Sequence, residues 1–218
     1  MTVLAFGCSV THGTEIAALG NSKENIPFSY PALVADHLGV DCVNLAFCGN
    51  SNENIFHQAL DTIPAYTNIT AVVVGWTSVV REVWQADGRT WQFIPSWCAT
   101  AKNAWRPFRY FKPEAGDNPQ ICADQEEYMP VLSDIYEVLT RYKFDADIYT
   151  KKRNNYIIAL RAYCNTNNIK LIETCWANPI DGAVNIGAIG TWFPAMQRHP
   201  NADEQRAFAE KIIEYYTL

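Results

Sequence analysis

The first apolar run of the chain breaks into Gly7-Cys8-Ser9-Val10-Thr11-His12-Gly13, which sets a serine hydroxyl between glycines that permit a tight turn. Near the other end, His199-Pro200-Asn201 stands immediately before the last helical pattern. Serine and histidine together suit one chemistry. A serine hydroxyl is a poor nucleophile at neutral pH, so a hydrogen-bonded imidazole must remove its proton during attack and return it to the leaving alcohol. Two more glycines follow apolar runs, Gly49 in Asn44-Leu45-Ala46-Phe47-Cys48-Gly49-Asn50-Ser51 and Gly75 in Gly75-Trp76-Thr77-Ser78. Taken singly these are weak signals, since a lone Gly-x-Ser is more often a structural turn and a lone histidine more often a surface or capping residue.

These residues need a scaffold that gathers them. Residues 2–6, 41–47, 70–76 and 170–176 are short, nearly continuous apolar runs that end in turns, the pattern of strands buried on both faces. Helical spacings fall between them at 30–38, 52–66, around 131–142 and at 149–165. The chain closes on a helix at 201–216, with Phe208, Ile212 and Tyr215 as its expected buried stripe. This alternation predicts a single α/β domain over 1–218, a three-layer α/β/α sandwich on a mainly parallel, flavodoxin-like sheet with right-handed crossovers. Ligands collect at the carboxyl ends of strands in such a fold, and Ser9, Gly49 and Thr77 all fall there.

Together these blocks resemble the SGNH, or GDSL-like, hydrolases, over nearly the whole chain apart from one insertion. Gly7-Cys8-Ser9 is similar to the family's Gly-Asp-Ser, with Cys8 at the aspartate, and the resemblance implies Ser9 as nucleophile. Gly49 resembles the second block's glycine, whose N–H joins that of Ser9 in an oxyanion hole. Gly75-Trp76-Thr77-Ser78 stands where the family has Gly-x-Asn-Asp, which implies the Thr77 hydroxyl as a third donor. His199, followed by proline, matches the general base. His12, Asn50, Trp76, Ser78 and Arg81 are the candidate substrate-lining residues. Asn50 and Ser51 read equally as turn-forming or N-capping residues, His12 as a cap, and Arg81 as a partner of Glu82. His37 and His57 read as structural.

The resemblance implies a serine esterase that removes small acyl groups, acetyl among them, from small-molecule or carbohydrate esters through an acyl-serine, with no metal or organic cofactor. The third triad member departs from the pattern. The family's aspartate lies three residues before its histidine, and Met196 occupies that position. Three alternatives stand: a Ser9–His199 dyad steadied by a backbone carbonyl, a distant acid such as Asp181 or Glu173, or loss of activity. Losing the acid with geometry kept costs about 10⁴ in rate in serine hydrolases. Cys8, Thr77 and Met196 at motif positions motivate a rival reading, a catalytically silent binding or assembly module. A flavodoxin-like nucleotide binder using the Gly7–Gly13 turn is a second rival, and it leaves His199 without a role.

Residues at about 83–127 break the rhythm, being rich in Trp, Pro, Arg and Asn with no clean period and too long for an ordinary loop. They are expected to form either a lid or substrate platform over the cleft, or an auxiliary subcore or subunit interface. Composition narrows the function classes. A 49% apolar, 18% charged chain of 218 residues builds a packed core rather than a disordered segment. A net charge of −6 offers phosphate backbones no basic stripe, so nucleic acid is not an expected partner. No run of eighteen apolar residues and no export signal are visible, so no membrane association and a cytoplasmic location, or a virus-encoded origin, are expected. Seven scattered cysteines without C-x-x-C spacing read as reduced thiols.

Overall fold

The computed structural model of the chain describes residues 1–18, 22–79, 81–86, 89–93, 108–111, 120–122, 146–189 and 198–218. Met196 and the helix expected around 131–142 lie outside them. The chain begins with β1 (Thr2–Phe6), the short α1 (Ser9–His12), α2 (Tyr30–His37), β2 (Asp41–Asn44), α3 (Asn52–Thr62) and β3 (Ile69–Trp76). Four strands follow, β4 (Glu82–Ala86), β5 (Arg89–Phe93), β6 (Phe108–Phe111) and β7 (Gln120–Cys122). The chain then resumes with α4 (Ala146–Thr166), β8 (Leu171–Cys175), β9 (Val184–Asn185) and α5 (Ala202–Tyr216).

The principal sheet has the order β2-β1-β3-β8-β9, every pair parallel. Side-chain alternation explains why helices must cover both faces. Val3 and Ala5 of β1 and Ala71 and Val73 of β3 pack into one core with Val34 of α2 and Phe208 and Ile212 of α5. Leu4, Phe6, Val72, Val74 and Trp76 pack into the other with Ile55 of α3 and Leu160 of α4. The expected α/β architecture is therefore the one the chain adopts. Strand order reverses direction between β1 and β3, and crevices that bind ligands open at such switch points beyond the strand ends. Ser9 follows β1 and Thr77 follows β3.

Two details depart from the sequence pattern. The stripe of α5 is Gln205, Phe208, Ala209 and Ile212, whereas Tyr215 is 52% exposed. Steps of 100° per residue carry the buried face on to Tyr216 instead, whose hydroxyl accepts from the Glu173 N–H at 2.9 Å. The stretch without a clean period holds β4 to β7, a four-stranded antiparallel sheet in chain order. Its register aligns Trp84, Trp91, Tyr110 and Ile121 in one row across the strands.

Gln205 joins the end of the chain to its beginning. The side chain is fully buried, its amide donating to the Val10 carbonyl at 2.9 Å and its oxygen accepting from the Tyr30 N–H at 2.8 Å. Gln205→Leu leaves both backbone groups unsatisfied in the core, each worth about 1–3 kcal/mol. Urea unfolding is expected to show a loss of about 2–4 kcal/mol for this variant; a loss below about 0.5 kcal/mol would mean that the tie is dispensable.

Candidate active site

The turn carrying Ser9 is seated by Thr11. A Cβ added at Gly7 or at Gly75 would overlap the Thr11 side chain, so both strand ends must be glycine for the turn to lie down on the sheet. The Thr11 hydroxyl is bonded at 3.1 Å to Tyr30 Oη, which in turn meets Thr174 Oγ1 at 2.9 Å. Burial pushes the Tyr30 phenol well above its ordinary range, so it stays a neutral hydrogen-bonding group. Asn44 at the end of β2 donates to the Thr11 carbonyl at 2.9 Å and to Ser29 Oγ at 3.1 Å. Ser9 is held on a fixed frame from three elements.

The Ser9 hydroxyl makes no hydrogen bond among the described residues, and the residue is 6% exposed. Ser9 opens α1, where an N–H has no intrahelical partner. Gly49 adopts φ +82°, a left-handed turn that β-carbon-bearing residues resist, and the Asn50 N–H closes the turn on the Phe47 carbonyl. The Phe47 N–H donates to the Gly7 carbonyl at 3.3 Å, and Asn50 Nδ2 to the same carbonyl at 3.0 Å. The second block is thus stitched directly to the Ser9 turn. Asn50 is fully buried and its Oδ1 accepts from Asn54 Nδ2 at 2.8 Å, while Ser51 caps α3 by accepting from the Asn54 N–H.

Thr77 is 1% exposed and its Oγ1 is sealed with no partner among the described residues. Its N–H goes to Asn52 Oδ1 at 2.8 Å, while Asn52 Nδ2 reaches the Thr77 and Ser78 carbonyls at 3.1 and 3.2 Å. Asn52 therefore ties off the end of β3, a role the sequence did not single out.

His199 is fixed by its neighbour. Arg198 grips the Glu204 carboxylate through both Nη atoms at 2.7 and 2.9 Å and donates to the His199 carbonyl at 2.9 Å. Glu204 also closes a capping box with Asn201 at the start of α5. The His199 ring is 28% exposed and its Nδ1 meets the Glu15 carboxylate at 2.8 Å. Glu15 follows Thr14, whose N–H is bonded to the Ser9 carbonyl at 3.0 Å, so the acid hangs from the Ser9 turn. On the ring's other contact is the Cys48 side chain, immediately before Gly49. Burial alone would lower the imidazole's pKa, but hydrogen bonds and charge from Cys48 and Glu15 override it and raise the value to about 9. Among the described residues no hydrogen bond joins His199 to Ser9.

Of the two acids named from sequence, Glu173 is engaged elsewhere. Glu173 accepts from Trp76 Nε1 at 2.8 Å and pairs with Arg161, which also donates to the Asp181 carbonyl. Trp76 is itself fully buried, part of the core rather than of a substrate surface. Arg81 donates to the Asn50 carbonyl at 3.0 Å and lies over Trp176. His12 is 4% exposed with Nδ1 unpartnered, and burial lowers its pKa to about 4. Among the described residues no group of three or more His, Cys, Asp or Glu is placed to hold a metal ion.

No family model and no curated protein sequence matches this chain. Solved structures do. A member of the lipolytic protein G-D-S-L family from Veillonella parvula is 14% identical, with a TM-score of 0.39 over 100% of this chain and 98% of that one. A family two carbohydrate esterase from Clostridium thermocellum, in complex with cellohexaose, is 16% identical with a TM-score of 0.38, over 99% of this chain and 63% of that one. An extracellular lipase from Streptomyces rimosus is 12% identical with a TM-score of 0.38, over 98% of each chain. The chain is similar to GDSL lipolytic proteins and carbohydrate esterases, as its motif blocks led one to expect.

The electrostatics give a direct check. In a proton NMR titration of the histidine rings, His199 is expected to titrate at about 9 and His12 at about 4. Glu15→Gln should move the His199 midpoint down while leaving His12 where it is. Because the folded value exceeds the ordinary 6.5, the pair stabilises the fold fully below that pH and the contribution fades as pH rises through about 9. An unmoved His199 midpoint in Glu15→Gln would remove Glu15 from the site.

Proposed function

We propose that this protein is a serine ester hydrolase of the SGNH type, with Ser9 as nucleophile, His199 as its base and Glu15 as the carboxylate that positions the ring. One observation carries the reading: an imidazole from the end of the chain, bonded through Nδ1 to a carboxylate on the loop leaving the Ser9 turn. With Nδ1 held, Nε2 is the nitrogen left to take the serine proton. Attack by Ser9 Oγ on an ester carbonyl places negative charge on the carbonyl oxygen, and the N–H groups of Ser9 and Gly49 are the donors at hand. The protonated ring then passes its proton to the leaving alcohol, and water, deprotonated by the same nitrogen, releases the acyl group.

The substrate class proposed is a small acyl ester, acetyl included, on a carbohydrate alcohol. The aromatic residues that the sequence gathers at 83–127 favour the sugar, since aromatic rings suit the flat faces of a pyranose. One observation favours the second reading, a silent binding module: an imidazole with a pKa of about 9 is protonated at neutral pH and is no base in that form.

Hydrolysis of p-nitrophenyl acetate and labelling by a fluorophosphonate probe separate the two. For the enzyme, kcat/KM should rise with pH through about 9 and labelling should vanish in Ser9→Ala. A wild type that stays unlabelled at alkaline pH would support the module. Thr77→Val sharpens the test because its two consequences have opposite signs. Removing a sealed, unpartnered hydroxyl should stabilise the fold slightly, yet if that hydroxyl donates to the oxyanion kcat falls by about 10²–10³. A variant that is more stable and equally active would take Thr77 out of the oxyanion hole.

A further inference from the structure

One buried cation lacks a counter-ion. Arg153 of α4 is 4% exposed, and its Nη atoms donate to neutral acceptors, the Asn178 carbonyl at 3.1 Å and Asn154 Oδ1 at 3.3 Å. Its Nε is sealed without a partner, and no carboxylate among the described residues pairs with the guanidinium. Arginine keeps its charge when buried, so such a group calls for an anion. We propose that Arg153 and Arg81 form a subsite for a carboxylate, and that the carbohydrate carrying the ester is therefore a uronic acid. The second half rests on the ester-hydrolase reading; the first does not.

The walls supply the charge. Both guanidiniums line one pocket with Asn52 and Glu53 from the first turn of α3, Val79 beyond β3, and Lys152 beside Arg153 on α4. Three cations there face one acid, and Lys152 takes that acid, Glu53, at 2.8 Å. Arg81 donates through Nη1 to the Asn50 carbonyl and lies over the neutral Trp176 ring, and its Nε is also sealed without a partner. The first turn of α3 adds the positive end of a helix dipole. Charge so concentrated favours an oxyanion over a neutral sugar.

Room decides which oxyanion. The free space is about 10 Å³, that of one water-sized group, which suits the edge of a planar carboxylate better than a tetrahedral phosphate. A guanidinium fork matches that edge with two parallel hydrogen bonds. Position then links the subsite to the Ser9 region. Arg81 holds the carbonyl of the residue after Gly49, and Asn52 holds the end of β3 at the Thr77 and Ser78 carbonyls. The pocket is therefore walled by the same two segments, after β2 and after β3, as the proposed oxyanion hole. It is too small for a sugar ring, so a uronate seated by its carboxylate keeps its hydroxyls outside, where an acyl group on one of them is open to attack.

The test is the Tm of the full chain titrated at neutral pH with sodium glucuronate, with glucose, sodium chloride and sodium phosphate at matched ionic strength as comparisons. Glucuronate should raise Tm saturably, and the other three should not. Arg81→Gln and Arg153→Gln should each weaken the apparent Kd for glucuronate by about ten-fold or more, while Lys211→Gln on α5 should leave it unchanged. Ser9→Ala should bind glucuronate as the wild type does, which keeps this result separate from the fate of the ester-hydrolase reading. A Tm that responds to glucuronate no more than to chloride, an equal response to phosphate or glucose, or a response that survives both arginine variants overturns the subsite. Should Arg153→Gln fail to fold, Arg81→Gln and the selectivity of the wild type decide it. For the substrate, an O-acetylated glucuronate should show a KM at least about ten-fold below that of the matching O-acetylated glucose, and Arg81→Gln should erase the difference. Equal KM values would overturn the uronic acid while the binding result stood.

Discussion

The carboxamide of Gln205 satisfies two buried backbone groups at once, the Val10 carbonyl of the Ser9 turn and the first N–H of α2, and it does so from the helix that His199 introduces. A buried amide that lost either partner would be left with an unsatisfied polar group in an apolar core, so the three segments dock together or not at all. The geometry of the site follows from that docking. α5 enters at a fixed angle because Asn201 and Glu204 cap it reciprocally, and Arg198 ties the carbonyl of His199 to the same glutamate. A ring six residues before Gln205 is thereby delivered to the loop that follows Ser9, although the two lie at opposite ends of the chain.

A second constraint acts from below. Thr11 sits on two glycines, Gly7 and Gly75, at the ends of adjacent strands, and its hydroxyl enters a chain with Tyr30 and Thr174. Large residues at either glycine would lift the turn and with it Ser9. That explains why a site whose chemistry needs only a few polar groups calls for small residues beneath them. Rigidity here matters more than burial, since a displacement of about 1 Å in a reacting group costs about 10²-fold in rate.

The layers, the sheet and its strand ends were legible in the sequence because buried parallel strands are written as continuous apolar runs, and 2–6, 70–76 and 170–176 are such runs. β9 was not, since Val184–Asn185 is too short to show a period. The antiparallel β4 to β7 escaped because apolar residues adjoin within a strand, Val83 with Trp84 and Tyr110 with Phe111, and erase alternation. In the site, Ser9, Gly49 and His199 stand in turns that announce themselves by glycine and proline. Glu15, Asn44, Asn52 and Gln205 do not, because nothing in a polar residue's immediate sequence tells which distant backbone group it will meet. Glu15 left one trace, an acid just past a Gly13 turn, and its φ of +68° is a conformation that side chains rarely adopt without cause.

Met196 at the usual acid position looks like damage when the sequence is compared block by block. Chemically the position is free to change, because the requirement is an acceptor on Nδ1, and orientation of the ring depends on where that acceptor lies rather than on which loop supplies it. In the proposed reading, an acid on the Ser9 loop has its own consequence. Glu15 and Ser9 share one turn, closed by the Gly13 and Thr14 N–H groups on the Ser9 carbonyl, so any motion of that turn shifts hydroxyl and carboxylate together and alters both distances to the ring at once. An acid on the histidine's loop would instead keep ring and carboxylate in register while the serine moved. The arrangement makes the ring's protonation depend on the seating of the Ser9 turn, and through Thr11 and Gly75 on the packing of the sheet itself.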